Sequence, residues 1–138
     1  MSSKVKITIY SLIISCIILL VFITLGVSKQ VSAQPDYIDL TKMNTNLVYS
    51  YVTNMVNSPN EYEGKTVKIT GKYSYNENLQ NHTITVLDTL GCCSQSIEFE
   101  LQDKNYPTDN KSITIEGIFS TYKVNNQTLA KIVDATLT

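Results

Sequence analysis

Arginine is absent from this chain, and histidine occurs once among its 138 residues. The first absence weighs against nucleic-acid binding, which rests on clustered positive charge and favours arginine. The second, with no Gly-x-Ser-x-Gly segment anywhere, leaves hydrolase chemistry without its usual parts. No internal repeat or low-complexity tract is present. Cysteine is also scarce: Cys16 lies in an apolar N-terminal segment, and Cys92 and Cys93 are the only others.

One long uncharged run exists. Lys4 and Lys6 precede Ile7 to Val27, 21 residues without a charge. That is long enough to cross a bilayer as a helix, with the lysines left on the cytoplasmic side. Val31-Ser32-Ala33 also fits a small-residue cleavage site. Residues 1–33 are therefore expected to be a signal anchor or a signal peptide. The protein is then single-pass with its C-terminal part outside the cell membrane, or secreted if cut after Ala33. All twelve acidic residues follow residue 34, against eight lysines, for a net charge of −4 on the exported part. The absence of Arg, with abundant Asn, Lys, Ile and Tyr, points to an AT-rich bacterial source.

Residues 34–44 read as a polar tether, and 45–138 as one exported domain. Over Asn46–Asn57, the positions of Leu47, Val48, Tyr51, Val52, Met55 and Val56 predict a helix with one apolar face. Asn44 or Thr45 caps it, and Ser58-Pro59 ends it. The period then changes to two. Strands are expected at Thr66–Tyr75, His82–Asp88, Ser96–Leu101, Ser112–Tyr122 and Thr128–Leu137. Val67, Ile69, Ile84, Val86, Ile97, Phe99, Leu101, Ile113 and Ile115 face inward. Gly71 and Gly117 fall where a small barrel needs to bend. The fold class expected is mainly β, a five-stranded OB-like barrel with one N-terminal packing helix.

Pro59, Tyr62, Gly64, Lys65, Val67, Ile69 and Gly71 form a Gly-Lys-x-Val-x-Ile-x-Gly segment that is followed by the Cys92-Cys93 pair. Together they resemble the OB-like domain of a family of uncharacterised bacterial membrane proteins often paired with putative permeases. The resemblance spans roughly residues 46–137. It implies an OB-like fold at the membrane, another envelope protein as partner, and, through some relatives, a link to metal homeostasis. It implies no activity. Family members usually carry Asp-Ala soon after the cysteines, where this chain has Ser94-Gln95-Ser96.

Adjacent cysteines are awkward. Their Cα atoms stand about 3.8 Å apart, whereas an unstrained disulfide spans about 4.4–6.8 Å. On a strand they also point to opposite faces. Four states stay open: a vicinal disulfide, an intermolecular bond, a metal site, or reduced thiols with a structural role. Asp88, Cys92 and Cys93 are the candidate metal ligands, zinc the candidate ion, with Asp134 a further donor. A strong zinc site within one chain is not expected, because zinc wants three or four such donors. His82, a solvated residue at a loop edge, lies about six residues from Asp88. A redox role lacks the Cys-x-x-Cys spacing and an adjacent cation. Glu98 and Glu100 read as a solvated sheet face. Tyr62, Tyr73, Tyr75, Tyr106 and Tyr122 either pack at strand ends or stack a ligand ring. The function expected is a non-enzymatic binding or interaction module, without a cofactor and without nucleic acid. The alternative is a metal-binding or thiol-sensing protein using the adjacent cysteines.

Overall fold

A computed structural model describes residues 36–138. The expected signal segment, 1–33, lies outside the described residues. Among the described residues no helix is long and apolar enough to cross a membrane.

The chain enters with β1 (Tyr37–Asp39), a 3-10 turn at Leu40–Lys42 and helix α1 (Thr45–Asn57). Five longer strands follow: β2 (Thr66–Asn76), β3 (Asn81–Leu87), β4 (Ser94–Leu101), β5 (Ser112–Val124) and β6 (Gln127–Leu137). They pair in the order β2-β3-β4-β6-β5, and β5 pairs back to β2. The sheet thus closes into a five-stranded barrel. All pairs within it are antiparallel except β4 with β6. Among the described residues the fold is mainly β with one α-helix, as the two sequence periods predicted.

Closure rests on one long, bent strand. The first part of β2, Thr66–Lys72, pairs with β5, and the last part, Lys72–Asn76, pairs with β3. Gly71 sits at the changeover. A Cβ there would stand 2.7 Å from the Thr85 carbonyl oxygen and 2.8 Å from Ile84 Cγ1. Only glycine lets the two backbones approach so closely. Gly117 plays the same part at a bulge between β5 and β6, where the register shifts between Glu116 and Ile118.

The inward positions are those the alternation predicted. Val67, Ile69, Ile84, Val86, Ile97, Phe99, Leu101, Ile113 and Ile115 are all buried. Phe119 and Ile132 complete the interior. Helix α1 begins at Asn44, whose side-chain oxygen accepts from the Leu47 N–H at 3.0 Å. That bond satisfies one of the free donors of the first turn. The helix contacts β4, β3 and β6, and Val52 and Met55 are its fully buried residues. Leu47, expected on the packed face, is 48% exposed. The buried stripe runs through Val52 and Met55, and the first turn projects beyond it.

Residues 37–43 correct the tether reading. Tyr37, Ile38 and Asp39 pair in parallel with Thr66, Val67 and Lys68 of β2. Ile38 and Leu40 are 2% and 1% exposed. Asp39 then caps the 3-10 turn, accepting from the Thr41 N–H at 3.1 Å and the Thr41 hydroxyl at 2.6 Å. The period-two signal of Ile38 and Leu40 was present but only four residues long, and polar residues surround it.

Candidate functional site

The connection between β3 and β4 carries Asp88, Thr89, Leu90, Gly91, Cys92 and Cys93. Its ends are tied by the Asp88 N–H, which donates to the Cys93 carbonyl at 3.0 Å. The Gly91 N–H donates to the Asp88 carbonyl at 3.1 Å, and Gly91 takes a φ of +68°, which favours glycine. The Asp88 carboxylate turns into the loop it begins. Its Oδ1 accepts from the Cys92 N–H at 3.0 Å and the Cys93 N–H at 3.3 Å. Its Oδ2 accepts from the Cys92 thiol at 3.3 Å. The Thr89 hydroxyl donates to Asn46 Oδ1, which ties the loop to the first turn of α1.

The cysteines therefore lie in a turn, and β3 ends at Leu87, one residue short of the predicted Asp88. The argument that they face opposite sides of a strand does not apply. Both thiols are free and exposed, and their sulfurs stand 3.7 Å apart. Ligand atoms of Asp88, Cys92 and Cys93 all fall within 4.8 Å of one another. His82 and Asp134, weighed as further donors, are not in this group.

Electrostatics favour a carboxylate beside a protonated thiol. Partial burial works to raise the Asp88 pKa. The hydrogen bonds from the Cys92 thiol and from the N–H groups of Cys93, Cys92 and Gly91 outweigh it and hold the carboxyl below its usual range. The Cys92 thiol is pushed up to about 11, first by its hydrogen bond to Asp88 and next by Cys93. A thiol held protonated is a poor nucleophile at neutral pH. The same atoms become ligands once a cation replaces the proton.

His82 is not a solvated loop-edge residue. It stands at the start of β3, the opposite end from the cysteine turn, and faces the barrel interior. Its ring stacks on Tyr106 with centroids 3.4 Å apart and planes within 5°. Tyr75 lies 4.7 Å away, and the Tyr73 hydroxyl meets Nδ1 at 2.8 Å. Phe99 joins the cluster from β4. Desolvation, then the Lys104 ammonium, lowers the His82 pKa against the pull of Glu100 and Glu98. In the Nε2–H tautomer of the neutral ring, Tyr73 donates and Nδ1 accepts; in the other, Nδ1–H donates to the Tyr73 oxygen. Rings from β2, β3, β4 and the loop after β4 thus close this end of the barrel, while α1 lies at the Leu87 end. Tyr62 and Tyr73 are buried packing residues, and Tyr75 is 40% exposed.

Glu98 and Glu100 do face outward on β4, but they are engaged. Glu98 accepts from the Tyr122 hydroxyl at 2.7 Å; burial first, and this bond next, push that phenol up to about 12. Glu100 pairs with Lys131 at 3.1 Å. Beside them Gln80, Asn81, His82 and Tyr106 line a polar hollow of about 240 Å³. A larger groove of about 610 Å³ lies between the start of α1 and the β2–β3 surface, with Leu40, Met43, Val48, Val86 and Leu87 among its walls. Of these places, the cysteine turn alone presents strong ligand atoms in a set.

Comparison of the chain with protein-family models and with characterised proteins gave no match.

Proposed function

We propose that the protein is a membrane-tethered, extracytoplasmic module with an OB-like barrel and no catalysis of its own. Its best-formed site, Asp88, Cys92 and Cys93, takes a thiophilic metal ion, with zinc as the reference case. One observation carries the metal reading. Two thiolates bound at about 2.3 Å to a tetrahedral ion stand about 3.8 Å apart, and a thiolate and a carboxylate oxygen about 3.5 Å apart. The Cys92–Cys93 sulfurs are separated by 3.7 Å and Cys92 Sγ lies 3.3 Å from Asp88 Oδ2. Two of the three edges among these donors are thus close to those of a coordination tetrahedron, and the third is no longer than 4.8 Å.

The strand order β2-β3-β4-β6-β5 with closure on β2 supports the OB-like description. The resemblance of the Gly64–Gly71 segment and the cysteine pair adds an envelope setting, reached through residues 1–33, with another envelope protein as partner. The metal reading gains over thiol sensing because Cys92 is held protonated by a carboxylate, the reverse of a reactive thiolate.

The test is equilibrium dialysis of the reduced protein against zinc at neutral pH. One ion per chain is expected, lost in Cys92→Ser and in Cys93→Ser and held at least tenfold more weakly in Asp88→Asn. His82→Ala should bind as the parent does. Retention unchanged in either cysteine variant, or no retention at all, defeats the reading. Both thiols must lose protons on binding, so affinity rises with pH.

A further inference from the structure

The sulfurs of Cys92 and Cys93 stand 3.7 Å apart, and both side chains are exposed. A disulfide holds its sulfurs at about 2.05 Å, so closure requires a shift of roughly 1.6 Å, shared between two exposed side chains and the turn that carries them. The backbone keeps the sulfurs at this spacing. The Asp88 N–H bonds the Cys93 carbonyl, and Asp88 Oδ1 accepts from the N–H groups of both cysteines.

No competing thiol stands nearby among the described residues, which hold these two cysteines alone. Cys16, the third in the sequence, belongs to the apolar N-terminal segment. When either sulfur of the turn is oxidised, its neighbour is already in contact with it. The second step is then unimolecular and needs no encounter with another chain.

We infer that Cys92 and Cys93 form a reversible vicinal disulfide when a small disulfide acts as oxidant, and that this modification empties the metal site. The exclusion of metal rests on the metal reading above; the closure itself does not. One sulfur of the turn attacks the small disulfide, breaks its S–S bond and forms a mixed disulfide. The other sulfur displaces the second half and forms the Cys92–Cys93 bond. Two electrons pass to the oxidant, which leaves as two thiols carrying the two protons. A metal ligand must be a thiolate, so the bonded sulfurs no longer hold an ion. The Cα atoms of neighbours stand about 3.8 Å apart, short of the roughly 4.4–6.8 Å of an ordinary bridge, and such a bond is the more readily reduced. Reduction restores the ligand pair. The extracytoplasmic setting proposed above is one in which disulfides form.

The experiment uses the full-length chain carrying Cys16→Ser, in detergent micelles, so that Cys92 and Cys93 are its only thiols. The reduced, zinc-free protein is treated with oxidised glutathione, then read by intact mass and by free-thiol count after denaturation. The expected product is a monomer lighter by two hydrogen atoms, with no free thiol and no attached glutathione, returned to its starting mass by dithiothreitol. Cys92→Ser and Cys93→Ser in that background should each stop with one glutathione bound, because no neighbouring sulfur displaces it. Zinc loaded beforehand should slow closure at least tenfold, and the closed form should take up no zinc in dialysis until it is reduced. Two glutathiones per chain, two thiols left free, or disulfide-linked dimers overturn the closure. A closed form that still holds zinc overturns the exclusion. Closure in a protein whose reduced form binds no zinc overturns the metal reading and leaves the modification standing.

Discussion

Ile38 and Leu40 decide whether the folded unit begins at α1 or before it. Each side chain is almost fully enclosed, at 2% and 1% exposure. Ile38 is held by β1 on the edge of β2, and Leu40 by the turn that leads into α1. Truncating a buried Ile or Leu to Ala costs about 2–5 kcal/mol, from lost transfer energy plus the cavity left behind. The two stand two residues apart in the chain and belong to one core cluster, so their effects are coupled and the double change need not equal the sum. A total of about 4–8 kcal/mol is still a large part of the roughly 5–15 kcal/mol that holds a domain together. The assay is urea unfolding of residues 34–138, followed by tyrosine fluorescence. At an m-value of about 1–3 kcal/mol per molar, each single variant should lower the midpoint by roughly 1–3 M. The double variant should be largely unfolded without denaturant. Midpoints within about 0.3 M of the parent for both single variants would mean that residues 37–43 are a tether after all.

Gly117→Ala places a Cβ 2.7 Å from Ile132 Cγ2, 2.8 Å from the Val133 carbonyl oxygen and 2.9 Å from Ala135 Cα. Two of those neighbours are backbone and cannot swing aside, so a loss of about 1–3 kcal/mol is expected in the same melt; an unchanged midpoint would show that the bulge relaxes freely. Asn44→Ala removes the α1 cap and should cost about 1 kcal/mol, with Asn44→Asp close to neutral. His82 binds its proton less readily in the fold than at its ordinary value of 6.5. Its contribution is therefore complete above that value and is lost as pH falls through the lower folded one. The melting temperature should decline below about pH 6.5, and His82→Phe should flatten that part of the profile. A profile identical in the two proteins would detach His82 from the acid limb.

The strand pattern was legible because a strand with one buried face writes its register in alternate residues. Ile97, Phe99 and Leu101 against Glu98 and Glu100 could be assigned to faces without any coordinates, and all three are buried. The glycines were legible for a related reason. A break in a run of branched residues marks a place where side chains have no room, and Gly71 and Gly117 are both within 3 Å of neighbouring backbone when given a Cβ. What could not be read is pairing between segments far apart in the chain. The three residues of β1 carry too little pattern to announce a strand, and their partner, Thr66–Lys68, is already paired on its other side with β5. Nor does an isolated His82 reveal that Tyr106, 24 residues later, will lie flat against it. The aromatic content was visible; its convergence at one barrel end is a property of closure.

The cysteine turn shows how one condition on backbone geometry decides the chemistry. The expected strands, His82–Asp88 and Ser96–Leu101, left Cys92 and Cys93 between them, and the opposite-face argument held only on condition that the pair lay on a strand. On a strand, one ion does not easily reach both sulfurs. Ending β3 at Leu87 frees Asp88 to fold its carboxylate back over the turn, where it collects the N–H groups of Cys92 and Cys93. Those two bonds tie successive N–H groups to one oxygen, and the two sulfurs come close to one another. The sequence signal was Asp88 followed by Gly91: an Asp at the head of a tight turn accepts from the backbone ahead of it, and a glycine supplies the positive φ that brings the chain round. Read as turn chemistry, the Asp-Thr-Leu-Gly-Cys-Cys segment predicts converging sulfurs. Read as the end of a strand, it predicts diverging ones. The 3.7 Å between the sulfurs follows from the first.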